Sequence, residues 1–198
     1  GADPDRIQLH VDGRFPSFSV SASTAPEPAP AVPRVGAELL VELDLASPTW
    51  PAALTRAASG GLPLDVRIVL ADGIPDAVDA AAAALRGIPI ARVAAFRPAG
   101  PARHVSDVEA TAALRAALDR AGVDGAVVGG SRAHFTELNR ELHRLPGDLD
   151  GIVFGSVPLH HSLAGHQLIE AVAMQRLTAR ESVDLARGTP VHVGPVTL

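Results

Sequence analysis

Gly125-Ala126-Val127-Val128 runs directly into Gly129-Gly130-Ser131-Arg132-Ala133-His134-Phe135-Thr136-Glu137-Leu138-Asn139-Arg140. The short Val-rich run reads as a buried strand, and the paired glycines let the backbone leave a sheet at angles that a bulkier residue resists. The residues after the glycines are largely polar, so the segment reads as a strand mouth carrying His134, Thr136, Glu137 and Asn139. Working groups of α/β proteins sit in such places, outside the carboxyl ends of the strands.

The same alternation extends in both directions. Downstream, 151–156 reads as a strand, a helix comes next over about 167–187, and 190–196 is a last strand. Upstream, a strand over 38–45 leads to a helix with Ser47 as N-cap and Pro48 in its first turn, ended by Gly60-Gly61. Then come a strand over 64–70, an Ala-rich helix over 76–86, a strand over 88–96, and a helix over 106–121 with Ser106 and Glu109 in capping-box spacing. Strand and helix alternate about six times at a period of roughly 30 residues, the pattern of a parallel sheet wrapped by helices. Nearer the N-terminus, 6–11 and 15–23 alternate polar and apolar as strands do. Residues 25–33 place proline at nearly alternate positions and form a polyproline-like connector. The expected organisation is 1–24 as N-terminal strands, 25–36 as a Pro-rich connector, and 37–198 as the barrel portion.

Both an open doubly wound sheet and a closed barrel fit this alternation. A nucleotide-binding sheet carries a Gly-rich first strand-to-helix turn, and neither G-x-G-x-x-G nor G-x-x-x-x-G-K-[ST] occurs in the chain. The expected fold is therefore α/β, a (β/α)8-type barrel that is incomplete, with about seven strands and its last unit missing. A barrel lacking a strand exposes two edges. The expectations for such a chain are truncation, completion by a partner or a homo-oligomer, or divergence to a non-catalytic piece.

Composition narrows the function. The chain has 198 residues, enough for one sizeable core, and no cysteine, which removes thiolate catalysis, Cys-based zinc sites and disulfides. Every one of the 17 basic residues is Arg, so a Lys Schiff base is excluded. A net charge of −5 with only five Phe and one Trp lacks the basic face and stacking rings that nucleic-acid binding uses. No apolar run approaches the ~20 residues of a membrane span. A soluble, cytoplasmic chain that binds neither nucleic acid nor membrane is expected.

The stretch 129–140, together with Pro-Val-His-Val-Gly-Pro-Val-Thr-Leu at 190–198, resembles the D-apionate lactonase family, whose members have a glycosidase-like (β/α)8 barrel. That family carries Gly-Gly-Thr-x-x-Tyr-Phe-Thr-Glu-Leu-Asn-Arg, a later Pro-x-x-His followed by a Leu-x-Glu helix and a Gln, and a strand ending Ser-Pro-Val-Thr-Leu. This sequence supplies 135–140 of that segment, Pro158 with His161, Leu168 with Glu170, Gln175, and Pro195-Val196-Thr197-Leu198. The resemblance extends back to Glu38. His134 stands where the family has Tyr, and Ala164-Gly165 where it has an Asp pair. The resemblance implies hydrolysis of a sugar-acid lactone resembling D-apionolactone, by general-base activation of water.

On that reading Glu137 is the base, and His161 is the acid or oxyanion donor. Asn139, His134, Arg97, His160 and Asp44 are substrate-binding candidates, with Asp44 able to meet Glu137 as a second carboxylate across the mouth. Competing structural roles stand beside these. Glu137 can cap a helix or pair with Arg140 at i+3, Asn139 can serve as a turn amide, and Trp50 can staple its helix to the barrel wall. Arg67 and Arg92, inside strands, are expected to point to the helix layer or solvent, and His10 to the surface. His160, His161 and His166 with His134 and Glu137 are the available metal donors, but adjacent histidines on extended chain face opposite ways and no H-E-x-x-H is present. No metal and no cofactor are expected. Two other functions remain open: a glycoside hydrolase, needing a second carboxylate within about 5–9.5 Å of the first, and a non-catalytic carbohydrate-binding piece.

Overall fold

Strands that are buried on both faces must send alternate side chains to two different cores, and the central strands of this chain do so. A computed structural model of the protein describes residues 17–25, 29–32, 34–72, 76–157 and 165–197, with the backbone alone for 165–170 and 172. Among them, seven strands pair in chain order, every neighbour parallel: β1 (Ser19–Ser21), β2 (Glu38–Asp44), β3 (Leu64–Val69), β4 (Ile90–Phe96), β5 (Ala126–Ser131), β6 (Gly151–Ser156) and β7 (Val191–Val196). Helices α1 (Trp50–Ala58), α2 (Ala77–Ala84), α3 (Val108–Ala121), α4 (Phe135–Glu141) and α5 (Gly165–Ala186) fill the crossovers from β2 onward. The described residues between β1 and β2 form no helix. The result is an incomplete (β/α)8 barrel of seven parallel strands, nearly closed.

One parity of each strand faces the helices. Leu39, Val41 and Leu43 of β2, Leu64, Val66 and Ile68 of β3, and Val93 and Ala95 of β4 pack with Leu54, Ala81, Leu114 and Leu118 of the helices in one large core. A smaller cluster joins Leu138 of α4 to Ile152 and Phe154 of β6 and Ala186 of α5, with Phe135 edge-on to Phe154 at 5.4 Å between ring centroids.

The other parity faces the barrel interior. Ala94 and Phe96 of β4 meet Val128 of β5 and Val153 of β6 there. Towards the amino ends of the strands the interior is ionic. Asp65 accepts from Arg67 Nε at 2.5 Å and from Arg92 NH1 at 2.9 Å, and Arg92 also pairs with Glu38. This corrects the expectation for Arg67 and Arg92. Their helix-facing neighbours are Leu64, Val66, Ile68 and Val93, so alternation leaves both guanidinium groups inside, where Asp65 and Glu38 compensate them. His192 of β7 comes in from the far side of the curled sheet, half-buried over Gly151 and within the field of this cluster.

Several local expectations are revised. α1 begins at Trp50 with Thr49 as N-cap and Pro51 in its first turn, because Ser47 Oγ accepts from Thr49 N and closes a turn just upstream. α3 is capped by Asp107, whose Oδ1 accepts from Ala110 N at 2.8 Å; Ser106 is fully buried instead, held by its backbone N–H to the Gly130 carbonyl. A left-handed Gly122 ends that helix. The seven-residue α4 has no counterpart among the elements expected from sequence. Of the expected strand over 15–23, Ser19–Ser21 pairs with β2, while the strand over 6–11 and His10 lie outside the described residues.

Gly130 shows why the strand-mouth motif needs its glycines. It has φ +149°, and a Cβ there would meet the Val153 carbonyl oxygen at 2.0 Å, across the β5–β6 pairing. Gly130→Ala is expected to destabilise by more than about 2 kcal/mol. Gly147→Ala, at a position open on all sides, is expected to be near neutral, and equal urea midpoints for the two variants would refute the assignment.

His192 contributes to the acid response. Burial, then Arg92, outweigh the attraction of Asp65 and Glu38 and lower its pKa from the ordinary 6.5. The unfolded chain therefore binds a proton at a pH where the folded chain does not. This contribution is fully present above about pH 6.5 and is lost as pH falls from there through the lowered folded value. Melting temperature is expected to drop between pH 7 and 5 more steeply in the wild type than in His192→Gln, and identical pH slopes would contradict this.

Candidate active site at the barrel mouth

At the carboxyl ends of the strands the interior face ends in polar groups from three elements. Glu42 of β2 reaches across to Arg132, the residue after β5, with Oε2 on Nε at 3.0 Å and Oε1 on NH2 at 2.5 Å. Both oxygens of Glu42 are thus used in a bidentate pair, the geometry that fixes a guanidinium plane most firmly. Arg132 NH1 also lies 3.3 Å from Nδ1 of His104.

His104 belongs to the β4–α3 loop and is held by its backbone on both sides. Its N–H donates to the Arg97 carbonyl at 2.9 Å, and its carbonyl accepts from Arg132 N at 2.8 Å. Arg97 N–H to the Val105 carbonyl and Ser106 N–H to the Gly130 carbonyl extend this strap between the tips of β4 and β5. Within it His104 adopts φ +68°, in the left-handed region that non-glycine residues seldom occupy. Such strain of about 1–3 kcal/mol collects at functional sites. Burial, followed by the nearby Arg132 and Arg103, lowers the His104 pKa against the opposing pull of Glu42 and Glu137. Glu137 is therefore close enough to act on this imidazole electrostatically.

Glu137 lies in the first turn of α4. The i,i+3 pair with Arg140 forms, Oε1 to NH1 at 2.9 Å, with both side chains substantially exposed. A pair of that kind contributes about 0–1 kcal/mol, and it leaves Oε2 without a hydrogen bond among the described residues. Asn139 is exposed on the same helix. His134 is the N-cap residue of α4 and lines a recess of about 240 Å³ with Thr136, Ser156, Gln175 and Thr178. Ser156 donates to Gln175 Oε1 at 2.7 Å in its wall.

Arg97 is committed elsewhere. It pairs with Asp107 at 3.0 Å and with Glu109, both at the start of α3. Partial burial opposes its charge, but the two carboxylates outweigh that and raise its pKa. Asp44, at the end of β2, accepts from Ala46 N at 3.0 Å and shapes the turn into α1. The carboxylate that actually spans the mouth is Glu42, one inward position earlier. His160 and His161 lie outside the described residues. Among the described residues no three His, Asp or Glu side chains are grouped as metal ligands.

Glu42, Arg132 and His104 were not among the expected site residues. Glu42 had a readable signal. In Glu38-Leu39-Leu40-Val41-Glu42-Leu43-Asp44 the acidic residues share one parity of a strand whose other parity is wholly aliphatic, which marks them as inward-facing. Nothing in the local sequence around His104 points to the mouth.

No curated protein matches the chain, and no solved structure matches it. A family model does: D-apionate lactonase, TIM barrel domain, over residues 20–198. That span runs from β1 through β7 and contains every mouth residue described above, so the chain belongs to the D-apionate lactonase family and carries its TIM barrel domain.

Proposed function

We propose that the chain hydrolyses a sugar-acid lactone of the D-apionolactone type at the barrel mouth, with Glu137 as the general base. The observation that carries this reading is the placement of Glu137. It stands on the helix after β5, within the field of His104, with one carboxylate oxygen held by Arg140 and the other without a hydrogen bond among the described residues. Family membership supplies the reaction class.

In this scheme Glu137 takes a proton from water as the hydroxide oxygen bonds to the lactone carbonyl carbon. The tetrahedral oxyanion then collapses, the ring C–O bond breaks, and the departing oxygen receives a proton to give the open hydroxy acid. His161 is the candidate acid for that last transfer, and Asn139, His134 and His160 are candidates for holding the sugar hydroxyls. Glu42 is unsuited to act as a second, nucleophilic carboxylate, since Arg132 occupies both of its oxygens. That weighs against glycoside hydrolysis by a carboxylate pair.

Glu137→Gln is expected to lower kcat on the best substrate of an aldonolactone panel by about 10²–10⁴-fold, with the melting temperature almost unchanged because only an exposed ion pair is lost. A pH-stat assay decides it: an unaltered rate rejects Glu137 as the base, and no turnover of any lactone by the wild type rejects the proposed activity.

A further inference from the structure

The hydrogen-bonding roles at His104 are dictated by the partner it faces. A guanidinium has donors and no acceptor, so the contact of Arg132 NH1 with His104 Nδ1 at 3.3 Å requires the ring nitrogen to accept. An imidazole accepting at Nδ1 carries its proton on Nε2. Arg132 cannot turn away to release it, because Glu42 grips its Nε and NH2 from β2. The main chain of His104 is held on both sides, its N–H to the Arg97 carbonyl and its C=O to the Arg132 N–H, so the ring starts from a fixed backbone when it meets Arg132. We propose that His104 is locked as the neutral Nε2–H imidazole and serves the barrel mouth as a hydrogen-bond donor to a developing oxyanion, and that it is not a base.

The left-handed backbone of His104 fits this role, since it is a costly conformation kept in place by hydrogen bonds at the backbone N–H, the carbonyl and the ring. On the proposed reaction, a neutral donor beside Arg132 is a preorganised dipole for the negative charge that develops on the carbonyl oxygen, and such donors act mainly on kcat. The charged groups facing the ring are Arg132 from the β5 tip, Arg103 from its own loop, Glu42 from β2 and Glu137 from α4. Two cations face two anions, so the ring gains no net incentive to charge. The identity of the oxyanion rests on the lactone reading, whereas the tautomer does not.

Two measurements separate these parts. In ¹⁵N-labelled wild-type protein at neutral pH, long-range ¹H–¹⁵N correlation is expected to show the His104 ring protonated at Nε2 alone. Protonation at Nδ1, or at both nitrogens, overturns the proposal whatever the protein's substrate. In kinetics on the aldonolactone that the wild type opens, His104→Ala is expected to lower kcat about 10²–10³-fold. His104→Gln, whose amide N–H can replace Nε2–H but which cannot act as a base, is expected to stay within about tenfold of wild type. Equal losses in folded Ala and Gln variants, judged by circular dichroism, overturn the donor role. A wild type that opens no lactone sinks the proposed reaction and with it the oxyanion role, and leaves the spectrum to judge the lock.

Discussion

The ion pair between Glu42 and Arg132 connects two strands that are not neighbours in the sheet. β2 and β5 are separated by β3 and β4 in the pairing order, yet the end of one reaches the end of the other through a bidentate contact. This contact fixes the width of the mouth at one point and orients the guanidinium that faces His104. The strap joining the tips of β4 and β5 is held by its own backbone hydrogen bonds, and the guanidinium so oriented meets the His104 ring that the strap presents. The pair is only partly buried, so its bidentate geometry matters more here than its net contribution to stability. At a strand mouth geometry is what matters.

The opposite end of the interior uses the same chemistry for a different purpose. Glu38, Asp65, Arg67 and Arg92 form a charge cluster near the amino ends of the strands, under the apolar plug of Ala94, Phe96, Val128 and Val153. Removing any single partner would strand a charge in a site with little water, so the cluster ties β2, β3 and β4 together in register. His192 of β7, which pairs with β6, lies over Gly151 within the field of the same cluster. The interior therefore has an ionic floor, an aliphatic and aromatic middle, and an ionic mouth. Only the mouth opens where loops and α4 can bring further groups.

The fold was legible because its signal is periodic. Short aliphatic runs separated by Ala-rich helices and Gly stops, as at Gly60-Gly61, identify β/α units even without long-range information. Gly129-Gly130 was legible as a strand exit, and the close approach of Gly130 to Val153 is the physical reason for its second glycine. Side-chain direction was less accessible. Arg67 and Arg92 look like surface residues until their partners Asp65 and Glu38 are brought beside them by register. Caps were misplaced by one or two residues because Ser47-Pro48-Thr49 and Ser106-Asp107 each offer two competing side chains for one backbone donor. Near the mouth, the pairing of Glu137 with Arg140 was readable from their i,i+3 spacing. The approach of Glu42 and His104 to Arg132 was not, because it joins residues 90 and 28 positions apart.

A double-mutant cycle on Glu42 and Arg132 tests the bridged mouth most directly. Unfolding free energies of Glu42→Gln, Arg132→Met and the double variant, measured by urea denaturation, give the coupling between them. With the two side chains paired across the barrel, the double variant is expected to be less destabilised than the sum of the singles, by about 1 kcal/mol or more. Strictly additive singles would mean that the two side chains do not meet, and the mouth held open by Glu42 and Arg132 would have to be abandoned.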